Sequence, residues 1–136
     1  MEQIFIFDVE VAVTTAAGGM DAGFARFFRG FVEEHRVYLV SSRSFASIER
    51  QVPQDIFDAC SGVFANDGAE LAVQGAIVYS KHHEFHPMVR LACETFVDTT
   101  WFPLRLGGHI DETPGMLRVS TIGRNAGLAE RRRYCA

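Results

Sequence analysis

The chain has 136 residues, of which 48% are hydrophobic and 22% are charged. This length and apolar fraction suffice for one modest hydrophobic core, and they exclude a disordered or fibrous chain. The 13 basic and 17 acidic side chains give a net charge of -4, which disfavours a nucleic-acid-binding protein.

The N-terminal residues predict neither a secretion signal nor a membrane span. Glu2 lies where a signal peptide carries basic residues, and Asp8 interrupts the first apolar stretch. No apolar run approaches the length of about 18 residues that a spanning helix requires. The three cysteines are widely spaced and form no CxxC pair, a pattern that indicates reduced thiols. We therefore expect a cytoplasmic protein that binds no membrane.

The first half of the sequence alternates between strand and helix patterns. Apolar runs predict strands over residues 4–7, 36–40 and 62–65, and the first of these is typical of a strand buried on both faces. Helices are predicted over residues 22–34, with a stripe of phenylalanines, and over residues 45–52. Asp21 and Ser44 are the expected N-caps, and residues 56–60 are expected to form a short connector. This alternation predicts a parallel sheet, a Rossmann-like half-core over residues 1–74.

From residue 75 onward the pattern is that of an antiparallel α+β unit. Residues 76–85 alternate as a strand does, and residues 87–97 are typical of a helix. A β-hairpin is expected from residues 107–111 and 116–120 around a Thr-Pro-Gly turn, followed by a last helix over residues 126–134. The predicted fold class is therefore α/β, with a second unit at residues 75–136.

Two carboxylates mark the end of the first predicted strand. Asp8 ends the strand and Glu10 follows two residues later. A carboxylate in this position can attack phosphorus, and a second one two residues on can transfer protons to and from the leaving group. If the strand continues, both face the same cavity, and their oxygens suit Mg²⁺. The alternative is that both acids only face solvent.

The second predicted strand ends in hydroxyl and basic residues. Ser41, Ser42 and Arg43 lie between this strand and the start of a helix, where hydroxyl and backbone amide groups can hold a phosphate. The alternative is that Ser41 and Ser44 only cap the helix. Because the carboxyl ends of parallel strands meet at one edge of a sheet, we hypothesise that Asp8, Glu10 and Ser41 share one phosphoryl-transfer site.

These motifs, in this order, resemble those of the haloacid-dehalogenase superfamily of phosphatases with a large α/β cap. The matching segments are residues 5–10 (FIFDVE), 39–45 (LVSSRSF) and 64–71 (FANDGAEL). Residues 115–124 (GMLRVSTIGR) are similar to the cap segment of eukaryotic-type phosphomannomutases. The resemblance covers nearly the whole chain and implies a Rossmann-like partial core followed by an antiparallel α+β cap unit.

The resemblance also implies roles for individual residues. It implies an aspartyl-phosphate on Asp8, proton transfer by Glu10, and Mg²⁺ bound through these two carboxylates. It implies phosphate contacts by three residues after the second strand, Ser41, Ser42 and Arg43. It also implies sugar-phosphate contacts by two residues of the cap, Arg124 and Arg118. The implied partner is a phosphorylated small molecule such as a sugar phosphate.

The sequence departs from the family pattern in the first motif, in the cap and after it. Glu10 stands where the family has Asp, and Leu106 and Thr113 stand where it has arginines. The family's later lysine motif and acidic pair are absent after the cap segment, and Lys81, the only lysine, precedes it. Three interpretations stay open: a split enzyme completed by another chain, an inactive homo-oligomer that buries an open sheet edge, and a fragment of a longer product.

A separate hypothesis concerns residues 82–86. His82, Glu84 and His86 alternate along the predicted strand, and side chains at this spacing can bind zinc. The alternative is a polar strand face without a metal.

Overall fold

The computed structural model describes residues 3–15 and 18–135. They form two compact units, Met1–His82 and His83–Ala136. The boundary follows His82 rather than residue 74, because the strand at residues 76–80 pairs within the sheet of the first unit.

A five-stranded sheet forms the first unit. Its strands lie side by side in chain order: β1 (Ile4–Asp8), β2 (Arg36–Val40), β3 (Gly62–Ala65), β4 (Glu70–Val73) and β5 (Ala76–Ser80). The first three strands run parallel, and the last two pairings are antiparallel. The three predicted parallel strands and the α/β fold class are thus confirmed. The β4–β5 hairpin turns at Gln74 and Gly75, both with positive φ, as tight hairpin turns require.

Within the described ranges, three α-helices lie in the connections between the parallel strands: α1 (Ala22–Glu34), α2 (Phe45–Glu49) and α3 (Gln54–Ala59). The Asp21 carboxylate accepts hydrogen bonds from the backbone N–H groups of Gly23 and Phe24, so the predicted cap of α1 is confirmed. Ser44, in contrast, makes no side-chain cap bond within the described chain. Most of the segment predicted as a connector, residues 56–60, belongs to the helix α3.

Only one face of β1 is well packed. Phe5 and Phe7 contact Phe31 and Phe28 of α1, with ring centroids 5.0 and 5.3 Å apart. On the opposite face Ile4 and Ile6 are 54% and 64% exposed. The prediction that β1 is buried on both faces is therefore wrong. β1 is also an edge strand of the described sheet, so one row of its backbone hydrogen-bonding groups has no strand beside it.

The core of the first unit lies between the sheet and its helices. Phe28 of α1, Leu39 of β2, Ile48 of α2 and Ile56 of α3 are almost fully buried there. Burial of large apolar side chains from every layer fixes the position of each strand relative to the helices. The carboxyl ends of β1, β2 and β3 are thereby held together.

The second unit contains α4 (Pro87–Thr99), the hairpin of β6 (Ile110–Thr113) and β7 (Met116–Val119), and α5 (Leu128–Cys135). The predicted hairpin and both helices are present. The strand predicted as far as residue 85 ends at Ser80. The guanidinium of Arg105 donates to the carbonyls of Val97 and Thr100 at the end of α4, each at 3.1 Å. In the part of the chain that the structure describes, no helix combines the length and apolar character needed to cross a membrane.

Candidate active site

Asp8 and Ser41 lie at the same edge of the sheet and line one cavity. Asp8 pairs with Val40 in the parallel register of β1 and β2, so Ser41 directly follows the partner of Asp8. The cavity has a volume of about 320 Å³. Its polar lining comes from the ends of three strands: Asp8, Ser41 and Ser42, and Asp67 with Gly68. The structure therefore brings the predicted strand-end residues to one place, the position where open α/β sheets bind ligands.

A π-helical turn (Val9–Val13) follows Asp8, so the strand does not continue to Glu10. The backbone N–H of Thr14 donates to the carbonyl of Val9 at 2.9 Å, a bond from residue i+5 to residue i. Val9 and Val13 are buried and anchor this turn. Turns of this kind occur frequently at functional sites.

The π-helical turn fixes the carboxylate of Asp8. Its Oδ1 accepts a hydrogen bond from the backbone N–H of Val11 at 2.8 Å. Asp8 thus acts as the N-cap of the turn, and this bond holds its side chain at the wall of the cavity.

Glu10 reaches the end of β2 rather than sharing a strand face with Asp8. The Ser41 hydroxyl donates to both carboxylate oxygens of Glu10, at 2.8 Å to Oε1 and 3.0 Å to Oε2. Nε of Arg43 lies 3.1 Å from Oε1, and the backbone N–H of Arg43 donates to the Ser41 hydroxyl at 2.9 Å. Glu10, Ser41 and Arg43 therefore form one connected polar cluster beside the cavity.

The loop after β3 is held against the loop after β2. Asn66, Asp67 and Gly68 all have positive φ, a conformation that Asn, Asp and Gly adopt more readily than other residues. The backbone N–H groups of Asn66 and Asp67 donate to the carbonyls of Arg43 and Ser41, at 2.9 and 3.1 Å. These bonds place the carboxylate of Asp67 at the cavity.

Sequence reasoning did not assign Asp67 and Gly68 to the site. Residues 66–68, Asn-Asp-Gly, directly follow a predicted strand. This composition is typical of turns with positive φ. A turn of this kind at the end of a predicted strand could therefore have indicated that Asp67 and Gly68 lie at the site. Asn66 itself is buried. Its Nδ2 donates to Oε2 of Glu70 at 2.5 Å, while its Oδ1 has no hydrogen-bond partner among the described residues.

The two predicted cap arginines meet at one carboxylate in the second unit. Nη2 of Arg124 lies 2.8 Å from Oδ2 of Asp111, and Nη1 of Arg118 lies 4.0 Å from the same oxygen. Nη2 of Arg118 is buried and has no partner within the described ranges. Asp111, from β6, thus neutralises part of the positive charge of both residues.

The zinc hypothesis for residues 82–86 is wrong. Because β5 ends at Ser80, His82, Glu84 and His86 do not form an alternating strand face. His86 instead caps α4, since its Nδ1 accepts from the N–H of Met88 at 3.2 Å. Within residues 3–15 and 18–135, no group of three or more His, Cys, Asp or Glu side chains is placed to hold a metal ion.

Comparison with known proteins gives the fold. No family model matches the sequence, and no curated protein matches it. Solved structures do match. A phosphatase of the haloalkanoate (HAD) superfamily from Bacteroides thetaiotaomicron is 18% identical, with a TM-score of 0.50 over 71% of this chain and 37% of that one.

Two further solved structures have the same fold. For a sugar phosphatase of HAD subclass IIB the identity is 13% and the TM-score 0.51, over 69% of this chain and 38% of that one. The ATP-bound IMP-nucleotidase of Plasmodium falciparum is 9% identical, with a TM-score of 0.58 over 85% of this chain and 34% of that one. The chain spans 34% to 38% of the length of these three solved structures. It therefore has the α/β fold of the HAD-superfamily phosphatases, as the resemblance implied.

Proposed function

We propose that this chain carries out phosphoryl transfer or phosphate hydrolysis on a phosphorylated small molecule, with Asp8 as the nucleophile. The observation that supports this proposal is the shared cavity: a backbone-anchored carboxylate and a buried serine hydroxyl end adjacent parallel strands on a fold that similar phosphatases use. A phosphoryl group bound at Ser41 would lie within the same cavity as the Asp8 carboxylate.

In the proposed reaction, Asp8 attacks phosphorus through the carboxylate oxygen that Val11 does not hold. Glu10, once it has left Ser41 and taken up a proton from solvent, passes that proton to the leaving group. The bond from phosphorus to the leaving oxygen breaks and an aspartyl-phosphate forms. Water, deprotonated by Glu10, then cleaves the phosphorus–oxygen bond to Asp8 and releases inorganic phosphate. Ser41, Ser42 and Arg43 hold the phosphoryl oxygens through hydroxyl, amide and guanidinium donors.

The donors at the cavity fit Mg²⁺ through Asp8 and Asp67. Both carboxylates line the cavity, and Mg²⁺ is commonly held by one or two carboxylates together with water and a substrate phosphate. The predicted ligand Glu10 fits less well, because both of its oxygens already accept from Ser41 and one contacts Arg43. When bound, Mg²⁺ supplies positive charge that stabilises the transferring phosphoryl group.

We further propose that the substrate is a sugar phosphate. Arg124 and Arg118 converge on Asp111 and give the second unit a pair of cationic side chains, which can bind an anionic or hydroxyl-rich substrate. The similarity of residues 115–124 to a phosphomannomutase cap segment supports this choice. One of the similar solved structures is described as a sugar phosphatase.

Hydrolysis assays on the purified chain test the proposed reaction. Wild-type protein, Asp8→Asn and Asp58→Asn are assayed with p-nitrophenyl phosphate and a panel of sugar phosphates, with and without Mg²⁺. Asp58 is an exposed aspartate of α3 that bonds to Gln54, so its variant is a matched control. We expect Mg²⁺-dependent turnover in wild type and Asp58→Asn, and none in Asp8→Asn. Turnover that survives Asp8→Asn would contradict the aspartyl mechanism.

The open edge of the sheet supports an alternative function, that of a non-catalytic subunit. The exposed Ile4 and Ile6 side chains on β1, and the free edge of that strand, offer a surface for a second copy or a complementing chain. In this case wild type has no phosphatase activity but self-associates or binds a partner chain. Light scattering on wild type and Ile6→Lys tests this alternative, since a charge at this position would disrupt such an interface.

A further inference from the structure

The groups assigned to phosphate binding are already in contact with a carboxylate of the chain itself. Ser41 donates its only hydroxyl proton to Glu10, and the guanidinium of Arg43 lies beside the same carboxylate. We propose that Glu10 is an internal anion that competes with phosphate for Ser41 and Arg43, and that it thereby sets the affinity of the cavity for phosphate. This inference rests on the proposed function, which assigns Ser41 and Arg43 to the phosphate.

The chemistry of Ser41 makes the competition exclusive. A serine hydroxyl has one proton to donate, and here its acceptor side is used by the backbone N–H of Arg43. Ser41 is only 3% exposed while Glu10 is bound to it, so another acceptor can reach its hydroxyl only when Glu10 moves away. The hydroxyl therefore donates to Glu10 or to a phosphate oxygen, but it cannot serve both fully at once.

The position of Glu10 allows it to leave without a change in the core. The π-helical turn is anchored by the buried Val9 and Val13, whereas the Glu10 side chain is 25% exposed. Rotation of this side chain alone would free Ser41. The same rotation would move Glu10 away from Ser41 and Arg43, where it can take up the proton that the proposed reaction passes to the leaving group.

Binding of inorganic phosphate, measured by calorimetry in the presence of a metal chelator, tests the inference. The proteins compared are wild type, Glu10→Ala, Asp67→Asn and Glu49→Gln. Asp67→Asn removes a negative charge from the same cavity but leaves Glu10 on Ser41. Glu49→Gln removes an exposed charge of α2 outside the cavity lining. Circular dichroism verifies that each variant is folded.

We expect Glu10→Ala to bind phosphate about tenfold more tightly than wild type, the change that one charge-assisted hydrogen bond typically gives. Asp67→Asn is expected to gain less than about threefold, as a general effect of charge, and Glu49→Gln to bind as wild type does. An equal gain in Glu10→Ala and Asp67→Asn would overturn the inference, because charge alone would then explain both. So would unchanged or weaker binding in Glu10→Ala.

A second variant pair separates this inference from the proposed function. Adding Ser41→Ala to Glu10→Ala should abolish most of the gain, since the freed hydroxyl is its source. If Glu10→Ala gains affinity but no protein shows Asp8-dependent turnover, the competition holds and the proposed reaction fails. If turnover depends on Asp8 but Glu10→Ala gains nothing, the reaction holds and the competition fails. If no protein binds phosphate and none shows Asp8-dependent turnover, both are wrong.

Discussion

Asp8 lies opposite Val40 in the pairing of β1 with β2, and Ser41, the next residue, therefore lines the same cavity as Asp8. This relationship depends only on the register of two parallel strands whose buried residues fix their position. The register alone places an anchored carboxylate and a buried hydroxyl at the same cavity, whatever the substrate is.

Replacement of Ser41 should destabilise the protein. Ser41→Ala leaves the backbone N–H of Arg43 without its acceptor and removes the donor to Glu10. We expect the free energy of unfolding to fall by about 1–2 kcal/mol. Urea denaturation followed by circular dichroism measures this change. The neighbouring exposed Ser42 provides the control, because Ser42→Ala should change stability by less than about 0.5 kcal/mol.

We expect Asn66 to stabilise the protein both through its positive-φ backbone conformation and through its side-chain hydrogen bond. Its φ is 51° and its Nδ2 bonds to Glu70. Asn66→Gly loses only the hydrogen bond, while Asn66→Ala also imposes strain at positive φ, so Ala should be the less stable variant by about 1 kcal/mol. Thermal and urea unfolding of the two variants provide the comparison. Equal stabilities would show that the strain at this position is negligible.

Two glycine substitutions should act in opposite directions. Gly123 has a φ of 91°, and an added Cβ would lie 2.1 Å from the carbonyl oxygen of Leu106. Gly123→Ala should therefore destabilise the second unit by about 3 kcal/mol or more, beyond the range of ordinary substitutions.

Gly30, in contrast, lies within α1 with open space around its Cα. Gly30→Ala should raise the free energy of unfolding by about 0.5–1 kcal/mol, because alanine has the higher helix propensity. Denaturation curves of both variants test the pair. A stable Gly123→Ala protein would contradict the close approach of residue 123 to Leu106.

The cysteines should differ in reactivity with pH. Burial raises the pKa of the Cys60 thiol to about 12, whereas Cys135 is exposed. At pH about 9 a thiol reagent should modify Cys135 quickly and Cys60 only after denaturation, because the thiolate is the reactive form. Mass spectrometry of the labelled protein identifies the site, and Cys135→Ser serves as the control.

The same pKa shift has a consequence for stability. The unfolded thiol has a pKa of about 8.5, so the folded state retains its proton where the unfolded state loses it. The contribution of Cys60 to stability is complete below about pH 8.5 and decreases as the pH rises toward 12. Cys60→Ala should flatten the loss of stability in this range relative to wild type, as urea midpoints at several pH values would show. An identical pH profile in the two proteins would contradict the shift.

Apolar periodicity was sufficient to predict the elements that bury one continuous face. The runs at β1, β2 and β3 and the phenylalanine stripe of α1 gave these elements and their parallel order. The exposure of Ile4 and Ile6 was not predictable, because it depends on what packs against the sheet rather than on β1 itself. The β4–β5 hairpin was missed since Gln74, at the first turn position, is a residue that rarely adopts positive φ.

The sequence predicts that the candidate site lies at the ends of β1 and β2, but it does not predict how the side chains are arranged there. Val9, Val11 and Val13 alternate as in a strand, and if the strand continued, Glu10 would share a face with Asp8. Instead Val9 and Val13 are buried and Val11 is 85% exposed, the spacing of a helical turn. Alternation over five residues cannot distinguish these two cases, because valines at positions i and i+4 satisfy both patterns.

The open edge of β1 has a consequence beyond partner binding. Residues 4–7 are β-branched and aromatic without a charge, the composition of segments that stack into cross-β fibrils when an edge is exposed. Asp8 and Glu10 directly follow this segment, and charges in such flanking positions oppose stacking of identical chains. The two carboxylates that the proposed phosphoryl transfer would use are thus also the charges that oppose edge-to-edge stacking of this strand.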